Sequence, residues 1–233
     1  MQEQNELLDE LLIIFSKQRF EGYLTKSLNT TEALVNYSWN IELCQGLYPF
    51  IQILEIALRN SLHQSITVLF DREDWFELDF LGEWEKEQVK QAKKTLSKNK
   101  KPIEPGRVVA ELSFGFWTAL LDVRYEHSQI LWPKLFKTRL FPFLKRSQRT
   151  RHFLSKEFTQ VRRLRNRIFH YEPIWYWHDL LNRYEQIIFL INAISNKAAN
   201  YLRLFEDFEY IHGNGRNSLQ QKIVRVIENN HKE

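Results

Sequence analysis

The sequence is poor in the residues that cross-link a chain or turn it sharply. Cys44 is the only cysteine among 233 residues, which excludes a disulfide framework or a cysteine-based zinc site within one chain. Seven glycines and six prolines are too few for a glycine-rich β-sandwich or a disordered chain. No apolar run approaches the roughly 18 residues of a membrane span, and the acidic N-terminus has no basic signal region. We therefore expect a cytoplasmic protein without a membrane partner.

Aromatic and aliphatic residues are abundant instead. Aromatics make up 14% of the chain and hydrophobic residues 43%, enough to build one substantial core. We expect an all-α fold in a single domain spanning residues 1–233. It would contain an N-terminal helical portion (about 1–97), a basic linker rich in proline (98–106) and a C-terminal portion (about 107–233).

The helical spacing of apolar residues predicts the individual elements. Thr30 or Thr31 can cap a helix, and Pro49 suits the first turn of the next one. Gly115 weakens a helix, so we expect another helix to approach closely there. A loop or short turn is expected at 74–80, and a turn at 213–217 before a last short helix. The predicted helices cover about 5–16, 31–44, 47–70, 83–98, 107–121, 146–153, 156–172 and 177–205.

Positive charge is concentrated in one part of the chain. Between Lys134 and Arg167 there are twelve basic residues and one acid, although the net charge of the whole chain is only +4. Such asymmetry is typical of an anion-binding surface. The alternative interpretation is a basic helix and loop that are exposed to solvent and bind no anion. The residues we predict to bind RNA are Lys145, Arg146, Arg149, Arg151, Arg162, Arg163 and Arg167.

Arg165 and His170 are the strongest candidates for chemistry. A histidine can move the proton of a ribose hydroxyl near neutral pH, and an arginine can hold phosphate oxygens with its planar guanidinium. At 100° per residue, Arg165 falls on the apolar arc of its helix, and His170 points about 140° away. Pro173 places His170 in or near the last turn. Either the helix distorts at its end, or two chains contribute to one site.

Three segments resemble one known family. The run RNRIFHYEP, residues 165–173, resembles the R-x4-6-H motif of the HEPN superfamily (higher eukaryotes and prokaryotes nucleotide-binding), and more narrowly its Abi-like, abortive-infection branch. The runs LEIALRNSL (54–62) and ELSFGFW (111–117) resemble the same branch in the same order. Tyr171 stands where many relatives carry a second histidine.

The resemblance implies a HEPN-like helical bundle with additional flanking helices and a homodimer that brings two motif helices together. It implies a metal-independent endoribonuclease, without a cofactor, in which His170 transfers protons, Arg165 binds the phosphate and Asn166 orients the site. Glu55 and Arg59 would support the site, for instance by pairing with Arg165. The implied role is a toxin of an anti-phage abortive-infection or toxin–antitoxin system, restrained by an antitoxin protein or a noncoding RNA.

Simpler interpretations stand beside these. Glu55, Arg59 and His63 share one helix face and could form no more than a solvated polar stripe. The aromatic residues of 175–177 could stack on bases, although packing after Pro173 is the more common role. The competing hypothesis for the whole chain is a non-catalytic RNA-binding module that uses the basic block between Lys134 and Arg167.

Overall fold

The computed structural model describes residues 10–11, 13–205 and 207–229, and within them it contains helices and connecting turns but no β-strand. The predicted all-α class is confirmed. The chain divides into two compact units. The first unit contains residues 1–49, 164–184 and 203–233, and the second contains residues 50–163 and 185–202.

The helices that matter here are labelled in chain order. They are α1 (Lys17–Leu24), α2 (Thr30–Phe70), α3 (Glu83–Lys98), α4 (Pro105–Glu111), α5 (Phe114–Ala119), α6 (Arg124–His127), α7 (Arg151–Phe169), α8 (Leu180–Ile194), α9 (Asn196–Tyr201), α10 (Phe208–Tyr210) and α11 (Arg216–Asn229). Short 3-10 turns cover Trp75–Glu77, Lys134–Lys137, Arg146–Gln148 and Leu202–Phe205, and a π-helical turn covers Ile211–Gly215.

Helix α2 corrects the prediction of two helices separated before Pro49. Pro49 lies inside one continuous helix, and Asn29 caps its start by accepting a hydrogen bond from the Glu32 amide at 2.8 Å. A proline removes one backbone hydrogen bond. The loss is tolerated because buried apolar residues continue at helical spacing on both sides of the proline, at Leu43, Leu47, Phe50, Leu54, Leu58 and Leu62.

By length and composition α2 could cross a membrane. Its most apolar 18-residue window has a mean hydropathy of 1.3, and 33% of that window is buried inside the structure. A core helix of a soluble protein meets the same criterion, so α2 carries no conclusion about a membrane.

The first unit has an aromatic core. Phe20 and Tyr23 of α1 pack with Ala33 and Leu34 of α2, and Trp175 packs against this cluster. Residues 13–15 are helical, and this helical stretch ends before Ser16. The Ser16 side chain caps α1 by accepting a hydrogen bond from the Arg19 amide. Residues 5–9 and 12 of the helix predicted at 5–16 lie outside the described residues.

The turn predicted at 213–217 is wrong. Residues 211–215 form a π-helical turn that leads directly into α11. A Cβ atom at Gly215 would come within 3.3 Å of the Trp39 ring and 3.1 Å of a Glu42 carboxylate oxygen. Glycine is therefore present at this position because α11 begins against α2, and no tight turn is needed.

The second unit buries Trp75, Phe116 and Trp117 in contact with one another. The single helix predicted for 107–121 is two short helices, α4 and α5, because Ser113 starts a new helix by accepting from the Phe116 amide at 3.3 Å. The close approach expected at Gly115 is also wrong, since an added Cβ would meet only ordinary contacts with Ser113 and Trp84.

Other boundaries agree more closely. Helix α3 spans the predicted 83–98, the 74–80 segment is a turn, and the linker remains irregular until α4 begins at Pro105. The helices predicted at 146–153 and 156–172 form one helix, α7, which begins at Arg151 and ends before His170. The helix predicted for 177–205 is divided into α8, α9 and a 3-10 turn.

Candidate active site

Helix α7 positions the arginine of the motif. Its buried stripe contains Leu154, Phe158, Val161, Leu164 and Ile168, as the spacing predicts. Arg165 is half-buried at the edge of this stripe. Phe169, the last residue of α7, is 38% exposed. The Arg165 guanidinium carbon lies 4.0 Å from the centre of the Phe169 ring. This cation–π contact holds the guanidinium near the helix surface rather than inside the core.

His170 directly follows α7. Its amide still donates to the Asn166 carbonyl at 2.9 Å, so the backbone remains helical up to this residue. The next two amides donate back to Ile168 at 3.0 Å and to Arg167 at 2.8 Å, the pattern of a Schellman cap. The side chain of His170 is exposed.

The cap has an unusual residue at its left-handed position. Tyr171 has a φ angle of 57°, where glycine or asparagine is normally found. Its ring is 71% exposed, and the Arg19 guanidinium carbon lies 5.6 Å from the ring centre. The backbone turn at Tyr171 thus sets the direction in which the chain leaves His170.

Asn40 fixes the loop that follows the motif. Its side-chain oxygen accepts hydrogen bonds from the amides of Ile174, at 2.7 Å, and Trp175, at 3.2 Å. Asn40 is buried on α2, far from the motif in sequence. Sequence reasoning missed this residue. Its only signal was a polar side chain in an apolar stretch, and that signal does not identify a partner.

Arg167 holds the same loop from the other side. Its guanidinium donates to the Pro173 carbonyl at 3.2 Å and the Tyr176 hydroxyl at 3.3 Å, and pairs with Glu172 at 3.3 Å. It also lies 5.3 Å from the centre of the Trp177 ring. We predicted that Arg167 binds RNA, but its contacts place it as a clamp on the motif loop.

The aromatic residues after Pro173 pack against the protein. Trp175 stacks on Tyr23 with ring centres 6.2 Å apart. Trp177 lies against two guanidinium groups, those of Arg167 and Arg183. Of the two interpretations, packing accounts for these rings, and stacking on RNA bases is not needed to explain them.

Two more of the predicted RNA-binding arginines are engaged within the second unit. Arg151 is 8% exposed, which leaves little of its side chain accessible to RNA and disfavours that prediction. Its guanidinium pairs with Glu126 at 2.7 Å and donates to the Leu121 carbonyl at 3.1 Å. Arg149 donates to the carbonyls of Leu144 and Pro142. The others are surface cations, with Lys145, Arg146 and Arg163 exposed and Arg162 half-buried.

The polar face of α2 divides into structural and unassigned residues. His63 accepts a hydrogen bond from the Trp75 indole at 3.0 Å, and burial lowers the pKa of this imidazole despite the opposing charge of Glu73. His63 is therefore structural. Arg59 donates to the Asn60 side chain at 3.1 Å. Glu55 is half-buried. The support of Arg165 by Glu55 and Arg59 stays a prediction.

A pocket of about 680 Å³ opens beside the motif, within the first unit. Its lining includes Phe169 and Tyr171, the two sequence neighbours of His170. Burial raises the pKa of the Cys44 thiol in this pocket to about 12. Burial, together with nearby Cys44 and Tyr37, also raises the pKa of Tyr23. Both groups are therefore neutral at physiological pH.

The described residues contain no cluster of three or more histidine, cysteine, aspartate or glutamate side chains that could hold a metal ion. Comparison of the chain with protein-family models, with curated proteins and with solved structures finds no match in any of the three. The candidate site is therefore argued from its own residues.

Proposed function

We propose that the protein is a metal-independent endoribonuclease in which His170 and Arg165 carry the chemistry. The observation that supports this most is the placement of an exposed histidine at the end of α7, five residues beyond a half-buried arginine whose guanidinium lies over the Phe169 ring. The resemblance of residues 165–173 to the HEPN motif points to the same two residues. Asn166, exposed on the same turn, would orient the RNA backbone.

The reaction uses the RNA's own 2′-hydroxyl as the nucleophile. His170 accepts the 2′-hydroxyl proton, the 2′-oxygen bonds to phosphorus, and the bond from phosphorus to the 5′-oxygen breaks. The leaving 5′-oxygen takes up a proton from water, and His170 returns the proton that it accepted to water. The products are a 2′,3′-cyclic phosphate and a 5′-hydroxyl. Proton transfer of this kind contributes roughly 10²- to 10⁴-fold in rate. Arg165 stabilises the charge that develops on the phosphate oxygens.

On one regular helix, Arg165 and His170 point about 140° apart. The hydrogen bond from the His170 amide to the Asn166 carbonyl continues the helical backbone as far as His170, which supports this estimate. A homodimer that joins Arg165 of one copy and His170 of the other removes this conflict. The proposed active site is therefore a composite of Arg165 from one copy of the chain and His170 from the other.

The biological role follows from the resemblance alone. An Abi-like ribonuclease would act as a toxin in bacterial defence against phage, in the cytoplasm, and an antitoxin protein or a noncoding RNA would restrain it. The exposed cations Lys145, Arg146 and Arg163, with Arg162, would attract RNA through its phosphates. The engagement of Arg149, Arg151 and Arg167 with protein groups weakens the alternative of a pure RNA-binding module.

The test is cleavage of a generic single-stranded RNA by purified protein in the presence of a metal chelator. Wild-type protein should cut and leave cyclic phosphate ends, and a strand in which every 2′-hydroxyl is replaced by hydrogen should stay intact. His170→Ala should abolish cutting. His152→Ala provides a matched control, because His152 is an exposed histidine on the same helix. Equal cutting by His170→Ala and the control, with both folded, would refute the catalytic assignment and leave RNA binding as the function.

A further inference from the structure

The pocket beside the motif has aromatic walls. Tyr23, Tyr37, Tyr48, Phe169 and Tyr171 line it. The Tyr48 and Phe169 rings are 5.9 Å apart, centre to centre, and both are partly exposed to solvent. Exposed aromatic rings that are not covered by the protein's own core are the surfaces on which nucleobases stack.

The interior of the pocket is neutral. The raised pKa values of Cys44 and Tyr23 keep the thiol and the phenol protonated. Among the described residues that line the pocket, Arg19 alone carries a charge. An apolar cavity with few polar groups suits a flat, uncharged ring and is unfavourable for a phosphate. The exposed Gln45 amide is a polar group of the lining that suits a hydrogen bond to the edge of such a ring.

Positive charge lies at the edge of the pocket, where a phosphate would follow. The Arg165 guanidinium stacks on Phe169, which is itself a wall of the pocket. Arg19 lies over the ring of Tyr171. His170 stands between these two aromatic residues in the chain. A base in the pocket would therefore leave its sugar and phosphate beside the motif.

The size of the pocket fits this ligand. Small-molecule sites typically measure about 300–1,000 Å³. The volume of about 680 Å³ is large enough for a single nucleobase with part of its ribose.

We propose that this pocket is a base-binding subsite that takes one unstacked nucleobase of a single-stranded RNA, next to the phosphate that is cut. The inference rests on the proposed function, because it assigns the RNA strand as the ligand. It adds a substrate preference: the enzyme would act on loops or single strands, whose bases are free to turn out, rather than on paired helices.

The test measures binding without cleavage. The probe is a fluorescently labelled single-stranded oligonucleotide with 2′-O-methyl sugars, which cannot supply the nucleophile, and it is compared with an abasic strand of the same length. The wild-type protein should bind the base-containing strand roughly 5- to 100-fold more tightly, as expected for stacking of one base. Tyr48→Ala should remove this preference, and Tyr48→Phe should retain it.

Two further variants separate the pocket from general effects. Ile41→Trp places a large ring in the pocket lining and should also remove the preference, since Ile41 is 44% exposed and tolerates a larger side chain. Tyr210→Ala removes an exposed tyrosine of the same unit that does not line the pocket, and it should leave the preference intact. Thermal unfolding followed by circular dichroism checks that each variant is folded.

Three results would overturn the inference. The first is equal binding of base-containing and abasic strands by wild-type protein, and the second is an unchanged preference in both Tyr48→Ala and Ile41→Trp. The third is competition by adenosine monophosphate at the affinity of the strand itself, which would make the pocket a site for a free nucleotide. Because this assay does not measure cleavage, a wild-type protein that prefers the base-containing strand but never cuts RNA would refute the proposed function alone.

Discussion

Arg151 and Arg165 lie near opposite ends of the same helix, yet their guanidinium groups have different surroundings. Arg151 is almost fully buried, and it is satisfied by the Glu126 carboxylate and the Leu121 carbonyl. Arg165 is half-buried and lies over an aromatic ring that borders a pocket. Both belong to one basic block in the sequence. The comparison shows that charge density in a sequence does not separate arginines that are buried in the fold from those that are half-buried at its surface.

The strongest test of this difference is Arg165→Ala. We expect RNA cleavage to fall roughly 10²- to 10³-fold, the usual cost of removing one group that stabilises transition-state charge. Arg165→Lys should not restore the rate, since an ammonium cannot hold two phosphate oxygens with a planar fork. The free energy of unfolding should change little, and single-turnover cleavage and urea denaturation measure the two quantities. If unfolding explains the entire rate loss, Arg165 stabilises the fold, as Arg151 does, and has no role in cleavage.

Arg151→Met should show the opposite pattern. We expect a loss of about 2 to 4 kcal/mol in the free energy of unfolding, somewhat less than for a fully buried ion pair because Glu126 is 40% exposed. Urea denaturation measures this loss. Arg149→Met is the control, because Arg149 is an exposed residue that donates to the carbonyls of Leu144 and Pro142 and forms no buried ion pair with a carboxylate among the described residues. If both variants lose the same stability, the buried pair of Arg151 has no special role.

Asn40→Ala should affect both properties at once. Removal of its side chain leaves two amides of the motif loop without their acceptor, which we expect to cost about 1 to 3 kcal/mol of unfolding free energy. Cleavage should also weaken under conditions where the variant remains folded, because the loop no longer fixes the end of α7. Asn36→Ala is the comparison on the same helix, since Asn36 accepts a bond from Arg216 instead. Unimpaired cleavage in folded Asn40→Ala would show that the loop needs no such anchor.

The left-handed conformation of Tyr171 gives a smaller effect. Tyr171→Asn should be more stable than Tyr171→Val by about 1 kcal/mol, because asparagine tolerates a positive φ and a β-branched residue does not. Both variants lose the contact with Arg19, so that loss cancels in the comparison. Thermal unfolding of the two proteins checks the difference. Equal stability would mean that the cap relaxes around either residue.

The smallest effect that we predict is a dependence of the free energy of unfolding on pH, caused by His63. Its folded-state pKa is lowered, so protonation favours the unfolded chain, and stability should fall as the pH drops below about 6.5. His63→Gln keeps an acceptor for the Trp75 indole and should lose less stability between about pH 7 and 5.5. Urea denaturation at the two pH values measures this. Identical pH profiles would remove His63 as the cause.

The parts of the fold that the sequence predicts well are those governed by local pattern. The bounds of α3 and the break before Pro105 follow from an amphipathic period and from proline, and they agree with the structure. The parts that it misses depend on distant contacts. Pro49 is kept inside α2 by burial on both sides, and Ser113 starts a new helix within one apolar stretch.

The same division applies to the site. The position of His170 in the last turn of α7 follows from Pro173 and is confirmed by the backbone hydrogen bonds. The anchoring by Asn40 and the pocket walls from α1 and α2 join segments that are far apart in the chain, and no local spacing indicates them. The burial of Arg151 likewise depends on Glu126, 25 residues earlier.

The central claim, that Arg165 and His170 of two copies form one site, can be tested directly with a mixed dimer. Arg165→Ala and His170→Ala chains carrying different tags are co-expressed, and the species that holds both tags is purified and assayed for RNA cleavage. The account predicts activity well above that of either variant alone, because one pairing in the mixed dimer restores both groups. A stable mixed dimer as inactive as its two parents, or a wild-type monomer that cuts RNA fully, would contradict it.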